Sequence, residues 1–109
     1  MEVQDPTNLL DFTNKTVFVT GSSRGIGAGI AKRFAAAGAN VVIHYKSHKE
    51  DALVVETEIN EFGGKTLLVC GDVSSYADVQ KMFAEIDEAF GVVDVMVNNA
   101  GIYPHADLL

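Results

Sequence analysis

Positive charge is scarce in this chain: Lys and Arg total 8 against 15 Asp and Glu, for a net charge of −7. That balance argues against nucleic acid and against anionic membrane surfaces as partners, since both call for a basic face. Cysteine is scarcer still. The lone Cys70 cannot close an internal disulfide, which fits a reducing cytoplasm, and its place in an apolar strand run predicts a buried, inert thiol. No apolar run approaches the roughly 20 residues that a membrane helix needs, and Met1 to Pro6 is acidic and polar, unlike a secretory signal. A Gly-Lys-Ser/Thr sequence is missing, which excludes a P-loop. Glycine is also missing at position 30, where Ile30 breaks the G-x-G-x-x-G pattern that Gly25 and Gly27 begin. The 109 residues make at most one domain with a modest core, and 48% hydrophobic with 21% charged residues describes a soluble globular protein.

What the chain does have is one turn around which the rest is arranged: Thr20-Gly21-Ser22-Ser23-Arg24-Gly25-Ile26-Gly27. The run Thr16-Val17-Phe18-Val19 before it is of strand type, and Ile26, Ile30 and Phe34 after it recur at helical spacing, with Lys32 and Arg33 left for solvent. The glycines therefore fall where a strand hands over to a helix. The first-turn amides of such a helix and its dipole favour an anion at the bend. Glycine allows positive φ there and lets a phosphate approach without a Cβ in the way. Overall acidity does not forbid this, because one charge pair at about 4 Å and an effective dielectric near 20 is worth roughly 4 kcal/mol before desolvation.

The remaining chain repeats the same unit. Residues 1–14 read as a flexible leader in which Leu9, Leu10 and Phe12 can dock, and residues 15–109 as the start of a layered domain. Strands are expected at about 15–20, 40–45, 65–70 and 93–97. The spacing predicts helices over about 25–37, 49–62 (Ala52, Val55, Ile59 and Phe62 inward) and from Ser75 to Phe90 (Val79, Met82, Phe83, Ile86 and Phe90 inward). Ser75 with Asp78 resembles a capping pair. Alternation of this kind gives an α/β fold with a parallel sheet covered by helices on both sides. Ligands of such sheets lie beyond the carboxyl ends of the strands. After the second strand an NAD-type site carries a carboxylate for the ribose 2′-hydroxyl, but here stands His44-Tyr45-Lys46-Ser47. Lys46 and Arg24 suit a 2′-phosphate, the alternative being two ordinary surface cations. Asp72 either accepts from an adenine amino group or caps the following helix.

Taken together, Thr20-Gly21-x-x-x-Gly25-x-Gly27, Asp72-Val73 and Asn98-Asn99-Ala100-Gly101 resemble, in order and approximate spacing, the short-chain dehydrogenase/reductases. The likeness runs from about Phe12 to the end, and looks most like the subgroup of 3-oxoacyl-carrier-protein reductases and glucose dehydrogenases; it implies a Rossmann-type doubly wound parallel sheet, order 3-2-1-4, truncated after its fourth strand. It implies that Gly21 and Gly27 shape the pyrophosphate turn and that the Ile26 N–H contacts phosphate. Ser23, Arg24 and Lys46 would hold the 2′-phosphate, Asp72 and Val73 would flank adenine, and Asn99, Ala100 and Gly101 would line the ribose. Tyr45 occupies the place of the Asp found in NAD-dependent members, so NADP(H) is expected over NAD(H). The implied activity interconverts a carbonyl and an alcohol of a small-molecule substrate.

The family's catalytic Ser, Tyr and Lys have no counterpart up to Leu109, so no residue of this chain is assigned to catalysis and inactivity alone is expected. Tyr45 and Lys49 spell Tyr-x-x-x-Lys, but they lie at the adenosine end and are dismissed. His44 and His48 read as a solvated loop feature, no metal set is recognised, and Asp94 receives no role. Val95, Met96 and Val97 would form an apolar sheet edge that recruits a second copy or leaves the chain weakly stable. A free-standing dinucleotide-binding or interaction module is the alternative function. A flavodoxin-like domain is a weaker one, because it leaves the Asn98–Gly101 turn unexplained.

Overall fold

Four short runs of β-branched and apolar residues pair side by side because each can bury both faces only inside a covered sheet. In the computed structural model, which describes residues 11–99, they are β1 (Thr16–Val19), β2 (Asn40–Tyr45), β3 (Lys65–Cys70) and β4 (Val95–Val97). All pairs are parallel, in the order β3-β2-β1-β4. The register sets Val17 against both Val41 and Val95, and Val42 against Leu67. Helices α1 (Gly25–Ala36) and α2 (Lys49–Glu61) cover one face, and α3 (Tyr76–Phe90) covers the other. The chain thus steps outward from β1 to β3, then crosses back to place β4 on the far side of β1. The reversal opens a crevice at the carboxyl ends of β1 and β4.

Two cores result. Val17, Val19, Val41 and Ile43 meet Ala28, Ala31 and Ala35 of α1 and Ala52, Val55 and Ile59 of α2. On the other face Phe18, Val42 and Val69 meet Met82 and Ile86 of α3, and the Phe18 and Phe83 rings lie edge-on at 5.5 Å. Each fully buried Val or Ile side chain contributes about 1.5–3 kcal/mol by leaving water. β3 and β4 are the sheet's edges, and only Val69 among their residues is buried.

The inward face of α1 differs from the expected one. Ile26 is 79% exposed, Ile30 and Phe34 are half-buried, and the buried residues are Gly27, Ala28, Ala31 and Ala35. The helix lies so close to the sheet that small residues take the contact, and the larger ones are displaced to its flank. There Phe34 meets Phe12 edge-on at 5.0 Å. Phe12 is held further by its N–H, which donates to the Ala37 carbonyl at 2.9 Å. On α2 the buried stripe ends at Ile59, because Phe62 lies just past the helix and is exposed.

Two polar contacts fix the ends of elements. Asp94 and Thr16 bond reciprocally: the Thr16 N–H donates to Asp94 Oδ2 at 2.8 Å and the Asp94 N–H to the Thr16 carbonyl at 2.9 Å. This pins the start of β4 beside β1, a role that the sequence did not suggest. At α3 the Ser75 hydroxyl accepts the Asp78 N–H at 3.3 Å, as the capping pair predicts. The Asp78 carboxylate, however, accepts the Asp72 N–H at 2.8 Å and so braces the preceding loop. No helix among the described residues is long and apolar enough to cross a membrane.

Candidate cofactor-binding site

The turn after β1 is shaped by its glycines and then clamped from both sides. Gly21 and Gly25 have φ of 64° and 65°, a region that residues with a Cβ rarely adopt. The Gly21 N–H donates to His44 Nδ1 at 2.8 Å, and the Gly21 carbonyl accepts from Asn99 Nδ2 at 3.2 Å. Thr20 joins the same brace, since its hydroxyl oxygen accepts the Asn99 N–H at 2.8 Å. Beneath the bend, a Cβ on Gly27 would overlap the Gly21 carbonyl and stand 2.7 Å from Asn99 Nδ2. The bend is therefore a backbone cradle that only a glycine at 27 allows.

The helix that leaves this cradle has an open amino end. Arg24, its N-cap, is extended and its side chain caps nothing, and the first turn holds no acid. By contrast α2 has Glu50 and Asp51 in its first turn, and α3 has the Ser75 cap and Asp78. The first-turn amides of any helix lack intrahelical acceptors. At α1, with neither cap nor carboxylate, they and the dipole are left to an outside anion.

A cleft of about 490 Å³ lies over this end, lined by nine of the expected residues: Gly21, Ser23, Arg24, Gly25, Tyr45, Lys46, Asp72, Val73 and Asn99. Gly27 lies beneath the bend, and the Ile26 side chain points out to solvent. Ala100 and Gly101 lie outside the described residues. His44 and His48 line the cleft without having been expected there, and Gly71 lines it at the start of the loop after β3. A second hollow of about 350 Å³ lies at the opposite end of the sheet, where Lys65 is its only charged residue. It faces the carboxyl end of α1, whose dipole disfavours an anion, so of the two hollows the first is the one that suits an anion.

Within the cleft, cations outnumber carboxylates despite the acidity of the whole: Arg24 and Lys46 line it against Asp72. Lys46 Nζ lies 3.4 Å from Asp72 Oδ2. Asp72 Oδ1 accepts the Ser74 hydroxyl at 2.6 Å and the Ser74 N–H at 2.9 Å. These two bonds, more than Lys46, hold the Asp72 carboxyl down to about 2. Asp72 is thus a fixed acceptor beside a cation that remains largely exposed.

Two expectations change on this face. Cys70 is exposed rather than buried, because it ends the edge strand β3, and its Sγ lies 3.6 Å from the Lys46 carbonyl. His44 is buried, at 2% exposure, rather than solvated. The alternation along β2 turns it inward, the signal that would have found it. Tyr45 is pushed up from its ordinary value by partial burial and then by Cys70. That direction is opposite to what a general base needs. Among the described residues no three His, Cys, Asp or Glu side chains are grouped to hold a metal.

The arrangement is a backbone cradle with an open helix end, two cations and a fixed carboxylate. The model of the family described as short chain dehydrogenase matches residues 15–108. The chain belongs to the short chain dehydrogenase family. It is similar to 3beta-hydroxysteroid dehydrogenase 1 of Eggerthella lenta, 48% identical over 92 residues that cover 84% of this chain and 35% of that protein. A dehydrogenase/reductase structure from Sinorhizobium meliloti 1021 superposes with a TM-score of 0.83 at 40% identity, covering 94% of this chain and 40% of that one. A short chain dehydrogenase structure from Burkholderia cenocepacia J2315, in complex with NADP, gives a TM-score of 0.79 at 41% identity over 90% of this chain and 40% of that one. The chain therefore spans between about a third and two-fifths of the length of these relatives.

Proposed function

We propose that this chain binds a nicotinamide dinucleotide, NADP(H) in preference to NAD(H), as the cofactor-binding part of an oxidoreductase that interconverts a carbonyl and an alcohol. The observation that carries the reading is the cleft over the open end of α1, where Gly27 lets the helix pack directly beneath the turn and no side chain caps the first-turn amides. Preference for the 2′-phosphorylated form is supported by Arg24 and Lys46 on the same rim, and by Tyr45 where an NAD site would carry a carboxylate. In this role Ser23, Arg24 and Lys46 face the 2′-phosphate, Lys46 turning to it from Asp72. Asp72 and Val73 flank adenine, and Asn99, with Ala100 and Gly101 beyond it, borders the ribose. When bound, such a cofactor supplies the hydride. The described residues that line the cleft would hold its phosphates, and none of them is assigned as a general acid or base. The exposed thiol fits a cytoplasmic protein, and the bare edge of β4, with Met96 half exposed, fits association with a second copy.

Titration of the chain with NADPH and NADH, followed by calorimetry, tests the assignment. NADPH binds more tightly, and Arg24→Ala and Lys46→Ala each weaken NADPH binding by about tenfold while leaving NADH within about twofold, since a charge-assisted hydrogen bond is worth roughly 1.5–3 kcal/mol. Equal affinity for the two cofactors, or a preference untouched by both substitutions, removes the 2′-phosphate assignment.

A further inference from the structure

His44 stands in a strand whose other interior positions are Val41, Val42 and Ile43, and its own register partner is Val69. A valine would serve the sheet equally well. What the imidazole adds is reach, because it joins the loop after β1 to the loop after β3. Nδ1 accepts the Gly21 N–H at 2.8 Å, and Nε2 lies 2.7 Å from the Gly71 carbonyl oxygen. An amide N–H only donates and a carbonyl only accepts, so Nδ1 must carry the lone pair and Nε2 the hydrogen. Of the forms open to an imidazole, the neutral Nε2–H tautomer alone satisfies both partners. The main chain is tied at the same point: the His44 N–H donates to Ser22 Oγ at 2.8 Å, and the Ser22 N–H to the His44 carbonyl at 3.1 Å. Phe18 closes one side with its ring edge-on at 6.3 Å.

We propose that His44, as the neutral Nε2–H tautomer, is a positioning residue for the cofactor, holding Gly21 and hence the glycine cradle in the shape that receives the dinucleotide's phosphates. This rests on the cofactor reading above. The Gly21 amide is turned inward to the ring and so is spent on shape. The phosphates are left to the amides farther along the turn, whose direction depends on where Gly21 is held. Asn99 anchors the Gly21 carbonyl from the loop after β4, so the two side chains grip the two peptide groups on either side of the Gly21 α-carbon.

Three substitutions separate the two bonds. His44→Asn keeps an acceptor where Nδ1 lies but cannot reach Gly71. His44→Gln keeps a donor near Nε2 but offers Gly21 nothing. His44→Phe keeps the ring and loses both. With folding verified by melting temperature, His44→Phe and His44→Gln are expected to weaken NADPH binding by about tenfold or more, and His44→Asn by no more than about threefold, because only the last leaves the turn's amide partnered. A residue that mattered only for stability would show affinity falling in step with melting temperature across all three. That outcome, or NADPH binding unchanged in His44→Phe, overturns the proposal while the cofactor reading stands. If the wild-type chain binds neither NADPH nor NADH, the cofactor reading fails, and this proposal falls with it. The ¹⁵N spectrum of the wild-type imidazole gives a readout that no variant can spoil. An unprotonated Nδ1 coupled to the Gly21 amide and a protonated Nε2 are expected, and the reverse tautomer refutes the assignment.

Discussion

Replacing Gly27 with alanine tests whether the close approach of α1 to the turn is as tight as the structure has it. A Cβ at 27 would overlap the Gly21 carbonyl and stand 2.7 Å from Asn99 Nδ2, and neither can easily give way. The first is backbone held by His44, and the second is bonded to that same carbonyl at 3.2 Å. Overpacking of this kind costs about 1–3 kcal/mol, and loss of the Asn99 bond roughly a further 1 kcal/mol. The better helix propensity of alanine offsets about 0.5–1 kcal/mol of this. The net expectation is destabilisation by about 1–3 kcal/mol, read from urea denaturation, together with loss of NADPH binding because the cradle is distorted. Gly29 supplies the control, since it lies in the same helix and a Cβ there would meet nothing within 4 Å. Gly29→Ala should stabilise by about 0.5–1 kcal/mol from propensity alone and leave binding intact. The reasoning is refuted if Gly27→Ala proves as stable as Gly29→Ala, because helix propensity would then outweigh a contact that should not exist.

Other consequences concern charge and the sheet's edge. Asp72, held from 3.8 down to about 2 by Ser74 first and Lys46 second, favours the folded state above its ordinary value, and that contribution disappears as the pH falls through about 2. Carboxyl chemical shifts should show Ser74→Ala raising the Asp72 titration toward its ordinary value and Lys46→Met raising it less; the opposite ranking would reverse the two causes. At the edge, Met96 is 51% exposed on β4. Met96→Lys should reduce self-association in sedimentation velocity, since a charge on an edge strand opposes pairing with another chain. A wild-type chain that stays monomeric across the concentration range removes that expectation.

Much of the fold was legible because it depends on local pattern. Runs such as Val41-Val42-Ile43 and breaks such as Gly63-Gly64 place strands and helices within a residue or two, and the alternation of the two leads to a parallel sheet, while the strand order that the structure has was implied by the family resemblance. Most of the expected cleft residues meet for the same reason, since the carboxyl ends of parallel strands share one side. Where the reading erred, distance decided. The inward face of α1 could not be chosen from Ile26, Ile30 and Phe34, because the closeness of that helix to the turn is set by Gly27 against Gly21. Cys70 looked interior because its run is apolar, but its strand lies at an edge.

By itself, then, the sequence determined the element order, the glycine bend, and the two cations near it. Hydrophobic period and glycine spacing are properties of neighbours along the chain and need no fold to be read. Only the tertiary structure decided that His44 and Asn99, 23 and 78 positions from Gly21, would hold its two peptide groups. It also decided that Lys46 would meet Asp72 and that Asp94 would secure Thr16. Hydrogen bonds act over about 3 Å, and sequence separation carries no information on that scale until the sheet has brought the strands into register.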